Sequence, residues 1–185
     1  TESGSRGVEV FPHRGALEAR FSLLPPPGRV LQAYLIGPVY SIEVMGRPGN
    51  YAGLQITGLE MDGTYDCKRV LAPASLPMHL AEGFERAAVT LAEAVGLWGI
   101  MDVEAVLHDG QLKVLEIDAR FPSQTPSAVY HSTGFNMVEA LARIFLPEEG
   151  GVPGSIHGGR ARGIPRVADG LTCRKPPDRT RGSAC

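Results

Sequence analysis

Two runs of alternating apolar and polar residues flank a short turn in the stretch MDVEAVLHDGQLKVLEIDAR, residues 101–120. Alternation with a period of two is typical of strands with one buried and one exposed face, so the stretch predicts a β-hairpin. A slip of one residue would turn every side chain to the other face, and the apolar pattern therefore selects one register. That register requires an odd loop, and we predict a three-residue turn with Gly110 in the left-handed conformation.

The predicted register puts four acidic side chains on one face of the hairpin. Like charges on neighbouring strands repel each other, which lowers stability unless a cation lies among them. The pattern thus indicates a face that binds a metal ion or another cation. A solvated face of an antiparallel sheet shows the same alternation, and the spacing alone leaves both interpretations open. The acidic residues are Asp102, Glu104, Glu116 and Asp118, and the apolar face would hold Met101, Val103, Ala105, Leu107, Leu115 and Ile117.

The composition limits the class of protein. A chain of 185 residues can form one core or two lobes, and a net charge of −2 argues against a general nucleic-acid binder. No apolar run approaches the roughly 20 residues of a membrane span, and no signal peptide is visible. Three cysteines without metal-ligand spacing fit a reducing cytoplasm. We therefore expect a cytoplasmic protein. The chain begins without Met in a Gly/Ser-rich stretch, so we also expect that it is a fragment.

Periodicity along the chain predicts an α+β layered domain. From residue 151 onward, seven Lys and Arg stand against two Asp, and this Gly- and Pro-rich tail predicts disorder. The stretch 62–77 reads as irregular structure. We predict short helices at 14–24 and 136–147, a long helix at 78–97, and strands at 30–36, 40–45 and 51–61 in addition to the hairpin.

The acidic hairpin resembles the metal-binding hairpin of the ATP-grasp superfamily. In that family a glutamate on one strand is followed on the next by a second glutamate, then by an Asn or Asp and often an Arg at alternate positions. The matching residues here are Glu104, Glu116, Asp118 and Arg120. A closer resemblance is to the pyrrolysine-biosynthesis ligases within that superfamily, carried by GSRGV, YDCKRVLAPA, GIMDVE and VLEIDARFPSQTPSAVYHSTGFNM.

The resemblance implies an α+β ATP-grasp fold of antiparallel sheets with packed helices. Part of the small lobe and the strands that join the lobes would occupy 1–57, the large lobe with the metal-binding hairpin 58–147, and a disordered basic tail 148–185. Relatives in this family often dimerise through an N-terminal domain that this sequence does not include, which implies a homodimer for the longer protein.

The implied activity is ATP-dependent ligation of a carboxylate to an amine through an acyl phosphate. The substrates would be small amino acids, namely 3-methyl-D-ornithine and the side-chain amine of lysine. ATP and Mg²⁺ would be required, with Mn²⁺ as an alternative ion. Neither nucleic acid nor membrane would be a partner. Two other hypotheses are a truncated module that binds nucleotide without turnover and an ATP-grasp ligase that joins other amino acids.

The resemblance also assigns roles to individual residues. Metal ligands would be Glu104, Glu116 and Asp118. Phosphate contacts would come from Ser5, Arg6, Gly7 and Lys68, adenine contacts from Gln32, Tyr34 and Leu35, and a ribose or inner-cleft contact from Glu43. Arg120 and Lys68 would be catalytic, Asp102 would recognise a substrate ammonium group, and Ser123, Gln124, Thr125 and Ser127 would orient the carboxylate or the transferred phosphate.

Several of these residues have simpler interpretations. In these alternatives Arg120 only pairs with Asp118, Ser123 only makes a turn, and Lys68 is a solvated loop residue. Ala33 stands where many relatives carry an acidic residue beside the adenine, so a reduced affinity for the nucleotide is expected.

Overall fold

Seven strands form one antiparallel sheet in the computed structural model, which describes residues 8–21, 28–63, 65–146, 154–156 and 162–165. The order across the sheet is β6-β5-β1-β3-β4-β7, and β2 also pairs with β1. The strands are β1 (Val39–Arg47), β2 (Asn50–Gly53), β3 (Thr57–Met61), β4 (Cys67–Ala72), β5 (Gly99–His108), β6 (Gln111–Asp118) and β7 (Arg162–Pro165).

Helices cover both faces of the sheet, which confirms the predicted α+β architecture. The helices are α1 (Arg14–Arg20), α2 (Met78–Ala94), α3 (Thr125–Thr133) and α4 (Met137–Phe145). The predicted cap of α4 is confirmed, because the side-chain oxygen of Asn136 accepts hydrogen bonds from the backbone N–H groups of Val138 and Glu139 at 3.1 and 3.2 Å. Within the described ranges, no helix has both the length and the apolar content of a membrane span.

β1 lies in the interior of the sheet and is buried on both faces. Its apolar residues Tyr40, Ile42 and Val44 belong to a core cluster with Phe84, Ala88 and Ala92 of α2. Successive side chains of a strand point to opposite faces, so the residues between them face away from α2. On that second face, Met45 packs with residues of α3 and α4. The sheet is therefore the middle layer between α2 and the α3–α4 pair.

Two predictions for the first part of the chain are wrong. Residues 30–36 form no strand, and Val30 is 89% exposed. A strand requires a hydrogen-bonded neighbour, and in the described part of the chain no strand runs beside this segment. The predicted strand at 51–61 is interrupted at residues 54–56, so that β2 and β3 pair with different halves of β1.

The stretch predicted to be irregular contains β4. Val70 and Ala72 are buried in a small cluster with Ala128 of α3, whereas Lys68 and Arg69 are exposed at the start of the strand. The alternating apolar pattern is present only in the second half of β4, and the two charged residues before it make the strand difficult to predict.

Part of the basic tail lies in the sheet. β7 pairs with β4 over four residues, and Ile156 packs against the cluster that includes Met45. The prediction of disorder is therefore wrong for residues 162–165, and the rest of the tail is outside the described residues apart from 154–156. The sheet includes strands from both sides of the lobe boundary expected near residue 57, and that boundary stays a prediction.

Replacing Phe84 by Ala should strongly destabilise the chain. Phe84 is 2% exposed and fills the layer between α2 and the sheet, and loss of a buried phenyl ring costs about 3–5 kcal/mol. Urea unfolding of the Phe84→Ala variant should show a lower midpoint. The exposed Met78→Ala variant at the start of the same helix should unfold close to the parent, and equal midpoints for the two variants would contradict this packing.

Candidate functional site

The hairpin of β5 and β6 puts its acidic residues on one face, as predicted, but by a different loop and strand geometry. Its loop has two residues, Asp109 and Gly110, with φ values of 47° and 71°. Positive φ values at both loop residues are typical of a type I′ turn, whose backbone twist matches that of the two flanking strands. The predicted three-residue turn is therefore wrong.

A bulge on β6 supplies the residue that changes the register. Ala105 pairs with Val114, but Glu104 pairs with Glu116, so Leu115 is the extra residue. Beyond this bulge Asp102 pairs with Asp118. The predicted placement of the four acidic residues on one face is thereby confirmed, and its cause is the bulge in the strand.

The apolar face of the hairpin is fully buried only on β5, and on β6 Leu112 is half-buried against the same core. Met101, Val103 and Ala105 lie in the core with α2, as predicted. Leu115 and Ile117 are 36% and 41% exposed, so their predicted burial is wrong. β6 is the edge strand of the sheet, and the core under α2 covers its inner neighbour.

β1 extends the acidic face beyond the hairpin. Glu43 pairs with Asp102 and Ser41 pairs with Glu104. One row across the sheet therefore contains Glu43, Asp102 and Asp118, and the adjacent row contains Ser41, Glu104 and Glu116. We call these five carboxylates the acidic face. They become less buried toward the edge strand: Glu43 is 0% and Asp102 5% exposed, while the Asp118 side chain is 42% exposed.

Two polar side chains satisfy part of the acidic face. The Ser41 hydroxyl donates a hydrogen bond to Asp102 Oδ1 at 2.5 Å. Arg120 donates from Nε and Nη2 to Asp118 Oδ2 at 3.0 and 2.7 Å. The simpler interpretation of Arg120, a pair with Asp118, is thus part of the structure. Sequence reasoning missed Ser41, although it lies two residues from Glu43 and the strand period would have placed it on the same face.

Burial and mutual repulsion change the acidity of this face. Burial, and then the charges of Asp102 and Glu116, raise the pKa of Glu104 to about 7. Burial also raises the pKa of Asp102 to about 6, against the opposing effects of the Ser41 hydrogen bond and of Arg120. Burial and the charge of Asp102 raise the pKa of Glu43 well above its usual value. A cation that enters the face would therefore stabilise the ionised forms of Glu43, Asp102 and Glu104.

The carboxyl group of Glu43 is fully buried and lacks a well-formed hydrogen bond. Neither of its oxygens has a partner of good geometry among the residues that the structure describes, and the neighbouring Thr125 side chain lowers its pKa by less than burial raises it. An unpaired carboxyl group that is fully buried is costly. The nucleotide contact predicted for Glu43 stays a prediction, and in this arrangement the side chain is closed off from solvent.

Glu104, Glu116 and Asp118 are the predicted metal ligands, and this role stays a prediction, although Glu104 and Glu116 face each other directly across the hairpin. Among the residues described, no group of three or more His, Cys, Asp or Glu side chains converges into a complete metal cage. Mg²⁺ does not require one, because it is commonly bound by one or two carboxylates together with substrate phosphates. A directly opposed pair of glutamates with a single arginine nearby fits this kind of open site.

The residues predicted near the adenine lie at one end of the sheet. Gln32, Tyr34 and Leu35 are in an extended segment that leads into β1. Because β1 is antiparallel to both β3 and β5, its first residue lies beside the last residues of those strands. The Tyr34 ring contacts the Tyr65 ring edge-on at 6.1 Å between centroids, a contact that the sequence did not indicate.

Lys68 lies near the same end of the sheet. Its ammonium group forms an ion pair with Asp62 Oδ2 at 3.0 Å. A phosphate contact would therefore have to replace or share this pair, and the predicted role of Lys68 stays untested. Ser5, Arg6 and Gly7, the other predicted phosphate contacts, are outside the described residues.

The predicted substrate loop lies at the start of α3. Thr125 is buried, Gln124 is half-buried, and Ser123 and Ser127 are exposed. The Gln124 carbonyl accepts hydrogen bonds from the N–H groups of Ser127 and Ala128, which forms the first turn of α3. The loop follows β6 directly, so its residues are close in the chain to Asp118 and Arg120.

Comparison with known proteins gives the chain a clear set of relatives. It is 42% identical over 144 residues to the 3-methyl-D-ornithine--L-lysine ligase of Methanosarcina mazei, an alignment that covers 78% of this chain and 36% of that ligase. The chain thus spans about a third of the length of this curated relative. No model of a known protein family matches the chain.

Solved structures share the fold. A putative ATP-grasp superfamily protein from Archaeoglobus fulgidus has a TM-score of 0.57 at 19% identity, covering 72% of this chain and 40% of that protein. The L-amino acid ligase from Bacillus licheniformis has a TM-score of 0.54 at 24% identity, covering 60% of this chain and 28% of the ligase. The chain therefore has the ATP-grasp fold, as the resemblance of its hairpin and neighbouring motifs implied.

Replacing Glu43 by Gln should stabilise the chain at neutral pH. Burial raises the pKa of Glu43 in the folded state, whereas the unfolded carboxyl titrates at its usual value of about 4.3. Between the two values the folded state keeps a proton that the unfolded state has released, so stability falls as the pH rises. The Glu43→Gln variant lacks this loss, and its thermal unfolding midpoint should exceed that of the parent at about pH 7.5 but not below about pH 4.

The matched control is Glu82→Gln, which neutralises an exposed glutamate on α2. Its midpoint should follow that of the parent at both pH values. A Glu43→Gln variant that is less stable than the parent at neutral pH would contradict the assignment of Glu43 as an unpaired buried acid.

Proposed function

We propose that this chain provides the metal- and nucleotide-binding part of an ATP-dependent ligase that joins a carboxylate to an amine. The proposal rests on the ATP-grasp fold, on the acidic face, and on the similarity to the Methanosarcina ligase. The observation that carries it is the direct pairing of Glu104 with Glu116 across β5 and β6. The two carboxylates would hold Mg²⁺ together with the phosphates of ATP, and the bound ion would neutralise charge on the transferred phosphoryl group.

The geometry of the sheet suits a nucleotide. Glu104 lies four residues before His108, which ends β5 beside the segment that contains Tyr34. At a rise of 3.3 Å per residue this is a separation of about 13 Å along the strand, a span of the same order as that between the base and the terminal phosphates of an extended nucleotide. A nucleotide with its base near Tyr34 would therefore place its phosphates near Glu104 and Glu116.

The proposed reaction has two displacements. A substrate carboxylate oxygen first attacks the γ-phosphorus of ATP, the bond from that phosphorus to the bridging oxygen breaks, and ADP leaves. An amine then attacks the carbonyl carbon of the acyl phosphate, the carbon–oxygen bond to phosphate breaks, and the nitrogen gives up a proton. The residues of this chain contribute by positioning the reactants and by balancing charge.

The proposed substrates are 3-methyl-D-ornithine as the carboxylate and the side-chain amine of lysine, because the Methanosarcina relative is named for that pair. Both carry ammonium groups, for which Asp102 is the proposed acceptor. Arg120, with Ser123, Gln124 and Thr125, would orient the carboxylate or the transferred phosphate. Lys68 would contact the phosphates after release from Asp62. We further propose that the longer protein acts in the cytoplasm as a homodimer.

Mg-ADP should raise the thermal unfolding midpoint of the chain. A ligand that binds only the folded state stabilises it by about 2.7 kcal/mol at a concentration of 100 times its Kd. The shift should be lost in the Glu104→Gln, Glu116→Gln double variant. It should persist in Glu82→Gln, Glu139→Gln, a matched double variant of exposed helical glutamates. Cooperative unfolding of the parent without any shift would refute a nucleotide site in this chain.

Ligase activity should appear as an amide whose mass is that of the two amino acids less one water. Offering ATP and lysine with 3-methyl-D-ornithine, with D-ornithine or with common amino acids separates the proposed substrate pair from that of a ligase for other amino acids. We expect the methylated D-ornithine to give the most product by mass spectrometry. Nucleotide binding without product from any pair would favour a module that binds nucleotide without turnover.

A further inference from the structure

Residues 36–38 are attached to the end of β5 by two hydrogen bonds. The backbone N–H of Leu107 donates to the Pro38 carbonyl at 2.9 Å. The imidazole Nδ1 of His108 lies 2.9 Å from the Ile36 carbonyl oxygen. A carbonyl oxygen can only accept, so Nδ1 carries the proton and donates it. The second bond comes from a side chain and can be removed without altering the backbone.

Gly37, between the two bonded carbonyls, makes this close approach possible. A Cβ atom at this position would lie 1.9 Å from the Leu107 carbonyl oxygen, well inside contact distance. The absence of a side chain is therefore required for the segment to lie against β5.

The contact joins the two halves of the proposed nucleotide site. On one side it reaches Ile36, two residues beyond Tyr34 in the segment proposed to lie by the adenine. On the other side it reaches His108 on β5, the same strand that carries Glu104. Because a paired strand in the interior of a sheet is rigid, a segment bonded to its end keeps a fixed distance from the acidic pair.

We infer that His108 is a positioning residue, which holds the base-binding segment at a set distance from the glutamates that bind the metal and phosphates. This inference rests on the proposed function. The hydrogen bond from the Leu107 backbone N–H to Pro38 supports the same segment, but it does not depend on the side chain at position 107. The imidazole donor is the feature by which this sequence strengthens the attachment.

The role can be separated from a general effect on stability by comparing two ligands. Mg-ADP engages both the base segment and the acidic pair, whereas Mg-triphosphate has no base and engages only the acidic pair. Loss of one hydrogen bond that orients the base segment should weaken Mg-ADP binding to His108→Ala about three- to tenfold. Mg-triphosphate binding should be unchanged, and so should the unfolding midpoint without ligand to within a few degrees.

Two further variants sharpen the test by isothermal titration calorimetry. His108→Asn keeps an N–H donor at nearly the position of the imidazole Nδ1 and should restore most of the Mg-ADP affinity. Gln111→Ala changes the cross-strand partner of His108 and leaves the contact with Ile36 in place, so it should bind both ligands as the parent does.

Three results would overturn the inference while the proposed function stands. The His108→Ala variant could lose the same factor of affinity for both ligands, or it could lose affinity for neither. The third such result is a parent that binds Mg-ADP no more tightly than Mg-triphosphate. Failure of the parent to bind either ligand would refute the proposed nucleotide site and the inference with it.

Discussion

Repulsion among carboxylates on adjacent strands is the constraint that the rest of the structure accommodates. Five acids lie on three neighbouring strands, with the Arg120 guanidinium paired to the outermost. The opposite face of the same strands is packed against α2, and this apolar core compensates for the unfavourable charge. Raised pKa values at Asp102 and Glu104 lower the repulsion further, because part of the population is neutral near pH 7. Both faces of the sheet contribute apolar packing, and the acidic side chains share their face with the cluster of Met45, α3 and α4.

Much of the fold and of the acidic face was predictable from local pattern. Alternation predicted the hairpin, helical spacing predicted α2, and an Asn predicted the start of α4. These signals are local, since each depends on the residues of one element and not on its partners elsewhere in the chain. The placement of Glu104 and Glu116 on one face followed from the same rule, because a shift of one residue would have put acids in the core.

What the sequence could not show depends on partners distant in the chain. The segment at 30–36 has the composition of a strand, yet no described strand lies beside it. The charged start of β4 concealed a strand that exists because β3 and β7 pair with it. Glu43 is buried because the neighbouring strands and Thr125 of α3 pack around it, which no local pattern reports. The exposure of Leu115 and Ile117 likewise depends on β6 being an edge.

The bulge at Leu115 separates the hairpin into two parts with independent rules. Between the turn and the bulge, the loop length decides which residues meet, whereas beyond the bulge the pairing is offset by one. If the turn were one residue longer and the bulge were absent, the pairing of Glu104 with Glu116 would be the same. No acid would then move to the apolar face. The length of the turn at the tip of the hairpin is therefore not tied to the geometry at Glu104 and Glu116.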